Sequence, residues 1–290
     1  MPELPEVETI CWRLREGGQG EAPLVGRAIV DVVVPDPAVV DGDRAAFVDG
    51  LRGARIRSVW RRAKWIVIEV DDVAGLARTV LVHLKMTGDL HVRDAGDDVR
   101  FVRFRWRLDD DTQLVFTDPR RFGHVELLPP GNRVEDRFAD LGPEPLDAAF
   151  RARDLKARLS GRRPIKASLL DQSVVAGLGN IYADESLWLA RLHPATPTNA
   201  LSDDEIVRLH HGIRRALRES IAASREALAW RYENRAAPSP FRVYDRAGGP
   251  CLRCGTTLST TTVAGRTTVF CPRCQPTPSR RRHPGGTLRA

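Results

Sequence analysis

The chain has 290 residues, of which 42% are hydrophobic and 29% charged, a length that allows two or three domains, each with its own core. No apolar run approaches the roughly 20 residues that cross a bilayer, and the acidic, proline-bearing opening Met1-Pro2-Glu3-Leu4-Pro5-Glu6 fits neither a signal nor a transit peptide, so a cytoplasmic location is expected. The formal net charge of +7, with arginine dominating the basic set, suits a polyanion, because a guanidinium offers phosphate two hydrogen bonds where an ammonium acts as a point charge.

Pro5 suits the first turn of an opening helix, with Glu6 and Glu8 near its positive end. Short β-like runs follow at Ala28–Val34, Ile56–Trp60, Trp65–Val70, Val80–Leu84, Val99–Leu108, Gln113–Thr117 and His124–Leu128. Turn residues such as Asp71-Asp72 and Asp109-Asp110-Asp111 separate them. Many short strands with no intervening helix predict a β-sandwich over residues 1–130. Pro129-Pro130-Gly131 and Gly142-Pro143-Glu144-Pro145 mark a linker over 131–146. Residues 147–238 read as helical. There Ser202 and Glu205 form a capping box, and Ile206, Leu209, Ile213, Leu217 and Ile221 follow at helical spacing. Residues 239–276 carry four cysteines among β-branched residues. The basic stretch 277–290, with Arg280-Arg281-Arg282, is expected to be disordered and to add non-specific phosphate attraction. The expected class is α+β, with several domains.

The spacing Cys251-x2-Cys254-x16-Cys271-x2-Cys274 predicts two chelating knuckles on a β-hairpin and tetrahedral coordination of one Zn²⁺. Four thiolates leave no open position, so the ion is structural. A redox reading would need two C-x-x-C pairs to fall at ribbon spacing by coincidence. The ribbon alone would also suit a transcription or translation factor. Cys11, inside an apolar helical pattern, reads as a packed thiol.

Methionine before the small residue Pro2 is expected to be removed, exposing a secondary amine. An α-amino group has an ordinary pKa of about 8, so part of it is unprotonated near neutrality. Attack by that amine on a sugar C1′ gives a cationic iminium, an electron sink for elimination. Glu3 stands beside it as a proton shuttle. Taken alone, Pro2 and Pro5 would do no more than start a helix.

The opening Met1-Pro2-Glu3-Leu4-Pro5-Glu6-Val7-Glu8-Thr9 resembles that of the bacterial formamidopyrimidine-DNA glycosylase family, relatives of endonuclease VIII. The resemblance recurs in order at Arg62-Ala63-Lys64-Trp65, His83-Leu84-Lys85-Met86-Thr87-Gly88 and Asp118-Pro119-Arg120-Arg121-Phe122-Gly123. It continues at Leu141–Leu146, Gly177–Glu185 and the zinc ribbon. It implies an N-terminal β-sandwich, a helix–two-turns–helix domain and a zinc ribbon. It also implies a bifunctional glycosylase and lyase that acts as a monomer on double-stranded DNA holding a damaged base or abasic site.

By the same resemblance, Pro2 is the nucleophile, Glu3 its neighbouring acid and Lys64 a lysine near the scissile phosphate. Glu185 is a carboxylate near the nucleophile, and Arg266 a ribbon-tip clamp on the phosphates. His83 is a phosphate contact. Met86, Arg120 and Phe122 form a wedge that fills the hole left by a flipped nucleotide, and Arg121 binds DNA beside them. Arg162, Lys166 and Asn180 bind DNA from the helix–two-turns–helix segment, where Gly177 and Gly179 leave backbone N–H groups for phosphate.

Two departures stand out. Members typically break the long helix with a Gly-Gly-Thr-Thr-like or Gly-Gly-Ser-Thr-like loop that covers an oxidised guanine, whereas Ala222–Leu228 reads here as continuing helix. Phe101-Val102-Arg103 replaces a His-x-His pattern, so a phosphate contact is lost or passes to Arg103. A non-catalytic, damage-sensing paralogue is the alternative reading. Intact Pro2, Glu3 and Lys64 argue against it.

Overall fold

The computed structural model describes residues 2–18, 20–226 and 241–277. Two compact units are present. One takes in the residues up to Asp140 with the end of a long helix from Ser220 to Glu226, and the other takes in Leu141–Glu219 with the cysteine-bearing segment.

In the first unit, α1 (Leu4–Glu16) begins with Pro5 in its first turn and a capping box in which Glu3 N donates to Glu6 Oε2 at 2.6 Å. Gly17, in the left-handed region, ends it by donating to Arg13 O. Val7, Ile10, Cys11 and Leu14 lie on the buried face. After β1 (Ile29–Val33), a short helix α2 (Arg44–Leu51) is capped by the Asp43 carboxylate and buries Phe47 and Leu51 one turn apart. The chain then runs β2 (Arg55–Arg62), β3 (Trp65–Asp71), β4 (Ala77–His83), β5 (Asp89–Asp94), β6 (Val102–Leu108), β7 (Thr112–Thr117) and β8 (His124–Leu127), followed by the single turn α3 (Val134–Arg137).

These strands make two antiparallel four-stranded sheets, β1-β6-β7-β5 and β2-β3-β4-β8. Ile66, Ile68, Val80 and Val82 of one sheet share a core with Phe104, Trp106, Leu114 and Phe116 of the other. This is the expected sandwich, with two differences. The helix α2 intervenes between strands, and β5 was not expected. Its run Asp89-Leu90-His91-Val92-Arg93-Asp94 is too charged to read as a strand, yet pairing with β7 buries its centre.

In the second unit, α4 (Ala152–Arg158), α5 (Ile165–Leu169), α6 (Asn180–Ala190) and α7 (Asp203–Glu226), the last as far as Glu219, are followed by the hairpin β9 (Ser259–Val263) and β10 (Arg266–Phe270). The capping box at α7 is present: Glu205 N donates to Ser202 Oγ and Ser202 N to Glu205 Oε2. Trp188 of α6 shares a hydrophobic cluster with Val243, Cys251, Leu258, Val269 and Cys271, so helices and ribbon pack as one body. The expected linker is divided: α3 belongs to the first unit and Leu141 onward to the second. No helix among the described residues is long and apolar enough to cross a membrane. The basic stretch 278–290 lies outside the described residues.

Candidate active site and nucleic-acid interface

Pro2 immediately precedes the buried start of α1, where Glu3 and Glu6 are each 1% exposed. The capping box fixes the direction in which the chain enters the helix. Farther along α1, Glu8 reaches Arg61 of β2 at 3.2 Å and Arg15 at 3.4 Å. Arg61 also donates to Ala63 O at 2.9 Å, inside the two-residue turn Ala63-Lys64 between β2 and β3. One carboxylate of α1 therefore holds, through Arg61, the turn that carries Lys64.

His83, at the end of β4, stacks on His124 at 5.6 Å and meets the Trp65 ring edge-on. Its Nδ1 accepts from Lys85 N at 3.0 Å, which places the proton of the neutral ring on Nε2. Burial pushes its pKa down to about 3, and the charge of Lys85 acts in the same direction.

The next two loops expose Met86, 37% accessible, and Phe122, 51% accessible, with the Arg120 guanidinium 4.8 Å above the Phe122 ring. Asp118, fully buried, organises both loops. One carboxylate oxygen accepts from Thr87 Oγ1 and Arg120 N, the other from Phe122 N at 2.8 Å and Gly123 N at 2.7 Å. The loops sit so close to the sheet that a Cβ on Gly123 would lie 2.5 Å from the Phe116 ring, and one on Gly88 2.9 Å from the same ring. Arg121 turns away and bonds Asp36 through Nε and Nη2, each at 2.9 Å, holding that carboxyl below its usual range. Arg103 donates Nε to Asp118 O at 2.8 Å and pairs with Asp36 at 3.4 Å, which ties its guanidinium to the loop that carries Phe122.

In the second unit, Cys251, Cys254, Cys271 and Cys274 place their sulfurs within 4.8 Å of one another. A tetrahedral zinc with Zn–S near 2.3 Å needs sulfurs about 3.8 Å apart, so the donor set fits. Backbone N–H groups of Arg253 and Cys274 and the Trp188 indole point at the sulfurs, as thiolates require. The knuckles stand at the open end of the β9–β10 hairpin. The far end is an Ala264-Gly265 turn with left-handed φ of 51° and 69°, followed at once by exposed Arg266. Arg162 is exposed just ahead of α5.

Chain-wide comparison decides the family. Three family models match in order: the formamidopyrimidine-DNA glycosylase N-terminal domain over residues 1–125, its H2TH domain over 141–231, and the zinc finger found in FPG and IleRS over 248–277. The chain belongs to the formamidopyrimidine-DNA glycosylase family. A formamidopyrimidine-DNA glycosylase of Chloroflexus aurantiacus is 43% identical over 282 residues, 95% of this chain and 98% of that protein. One of Chloroflexus aggregans is 44% identical over 283 residues, with the same coverage. The Lactococcus lactis enzyme, solved non-covalently bound to DNA containing an abasic site, superposes with a TM-score of 0.82 at 33% identity, covering 95% of this chain and 100% of that one. The same enzyme with DNA containing a ring-opened guanine gives 0.83 at 31%, with the same coverage. The family's zinc finger agrees with the thiol geometry: the four cysteines hold one structural zinc ion.

Within this family frame, the expectation for Lys166 needs correction, and Glu185, Gly177 and Asn180 meet partners inside the protein. Lys166, expected on DNA, is fully buried. It pairs with Asp184 at 2.7 Å and donates to Thr268 Oγ1 at 2.7 Å and Thr267 O at 3.2 Å, so it binds β10 to the helices and is closed to phosphate. Glu185, expected as a carboxylate near the nucleophile, is 2% exposed. Its carboxylate accepts from the backbone N–H groups of Arg242, Val243 and Tyr244 at 2.8 to 3.1 Å, which saturates it as an anchor for that loop. The Gly177 N–H is taken by Gln172 Oε1 at 2.9 Å and is not left over for phosphate, while Asn180 donates one of its two amide hydrogens to Thr267 O at 3.0 Å. Sequence reading missed Asp118 as the organiser of the exposed loops. Its one signal was an Asp-Pro start, a common opening for turns whose backbone N–H groups return to the carboxylate.

Proposed function

We propose that this chain is a bifunctional DNA glycosylase and abasic-site lyase of base excision repair, acting in the cytoplasm as a monomer on double-stranded DNA with an oxidised or ring-opened base. The observation that carries the reading is family membership along the whole chain, joined to a Pro2-Glu3 pair set at the mouth of a capped, buried helix start.

With Met1 removed, the Pro2 nitrogen attacks C1′ of the damaged nucleotide. The glycosidic bond breaks, the base leaves with a proton, and the sugar opens to an iminium on residue 2. Loss of a C2′ proton then expels the 3′ phosphate, and a second elimination expels the 5′ phosphate. Glu3 moves protons at the sugar, and Lys64 neutralises charge on the departing phosphate. His83 donates a neutral Nε2–H to phosphate. Met86, Arg120 and Phe122 occupy the space vacated by the flipped nucleotide, with Arg120 facing the orphaned base. Arg266 clamps phosphates from the hairpin tip, and the structural zinc holds the ribbon's shape.

Single-turnover incubation with a duplex holding one ring-opened purine tests the activity. The reading predicts base release and strand ends carrying phosphate on both sides of a one-nucleotide gap. A damage-sensing paralogue would bind the same duplex and leave it intact, which would overturn the reading.

A further inference from the structure

Of the nine phenylalanines, two are exposed among the described residues, Phe122 and Phe101. They share a geometry. Arg120 lies over Phe122 at 4.8 Å, and Arg100 lies over Phe101 at 5.2 Å. They also share a place. Asp118, which shapes the Phe122 loop, donates its own N–H to Phe101 O at 3.1 Å, and Val102 pairs with Thr117 across β6 and β7.

Phe101 has a φ of 62°, the left-handed region, where a bulky aromatic side chain is disfavoured and asparagine or glycine is at ease. The residue is 49% exposed and takes no part in the sandwich core. A strained backbone that holds an apolar ring out of the core is explained by a ligand for the ring, not by folding.

We propose that Phe101, flanked by Arg100, is a second aromatic platform for DNA, stacking on a nucleobase or sugar face of the duplex beside the lesion. The ring offers a sequence-tolerant π surface, and the guanidinium above it adds attraction for the neighbouring phosphate. The proposal rests on the reading that the Phe122 loop enters DNA.

Phe101→Asn separates this role from a structural one, because asparagine accepts the left-handed φ and removes the ring. Affinity would be measured on a duplex with a tetrahydrofuran abasic analogue, together with the melting temperature of the free protein. The expected result is a Kd raised roughly five- to fiftyfold, a melting temperature unchanged or higher by about 1–3 °C, and near-native affinity in Phe101→Tyr. An unchanged Kd in Phe101→Asn overturns the proposal, as does a weaker Kd accompanied by a lower melting temperature. Phe122→Ala run alongside reports on the wedge itself: if it loses affinity while Phe101→Asn does not, the second platform is wrong and the wedge stands.

Discussion

A histidine that cannot take a proton makes a different phosphate contact from one that can. His83 is ordinarily a group that charges near pH 6.5, but in the folded protein it stays neutral down to about 3. The unfolded chain therefore binds a proton that the folded chain refuses between those two values, and folding stability falls as pH drops from about 6.5 toward 3. His83→Asn, which keeps an acceptor for Lys85 N, is expected to flatten that part of the stability profile. Imidazole NMR shifts of His83 that titrate near 6.5 in the native protein would contradict the assignment. Lys166 gives a second test at this scale. Lys166→Met strands the buried Asp184 carboxylate and should cost about 3–5 kcal/mol, most of it recovered when Asp184→Leu is added. A single variant as stable as the wild type would return Lys166 to the surface. Such residues were illegible in the sequence because lysine and glutamate are rarely buried without partners. The partners of Lys166 and Glu185 lie on other elements, or on a loop far along the chain.

At the level of elements, the sequence was most legible where composition and period agree. The β-branched runs of β3 and β4, the Ser202 capping box and the cysteine spacing each carry their own local signal. β5 and α2 do not: one is a strand by virtue of pairing with β7, and the other is a helix because Asp43 caps it and Phe47 finds the core. The wedge was legible by resemblance, but its rigidity was not, since that depends on Asp118 bonding two loops at once. Phe122→Ala should slow excision from an intact duplex by roughly one to two orders of magnitude, while cleavage at a preformed abasic site is nearly unchanged. Equal losses on both substrates would reduce Phe122 to packing. The long helix makes its own prediction. α7 is helical through Glu226, where members usually break; Ala227 and Leu228 lie outside the described residues. Without glycines to form a cover over the flipped base, discrimination should rest on how easily the lesion leaves the stack. Excision of oxoguanine should then be slower than that of ring-opened purines or oxidised pyrimidines in matched duplexes. An oxoguanine rate equal to theirs would place recognition elsewhere.

For the whole molecule, the zinc ribbon and the sandwich belong to different units, so their failures should be separable. One zinc per chain is expected by metal analysis. Cys271→Ser should weaken DNA binding by misplacing Arg266 while the sandwich keeps its cooperative unfolding. Zinc-free protein that binds DNA normally would remove the ribbon from the account. The central claim is that chemistry begins at the nitrogen of residue 2. It is tested most directly by borohydride reduction in the presence of an abasic duplex, followed by peptide mapping of the adduct. The account predicts a covalent protein–DNA product whose sugar is attached to Pro2, and no such product from protein that retains Met1. An adduct mapped to a lysine, or undiminished trapping when Met1 is retained, would contradict it.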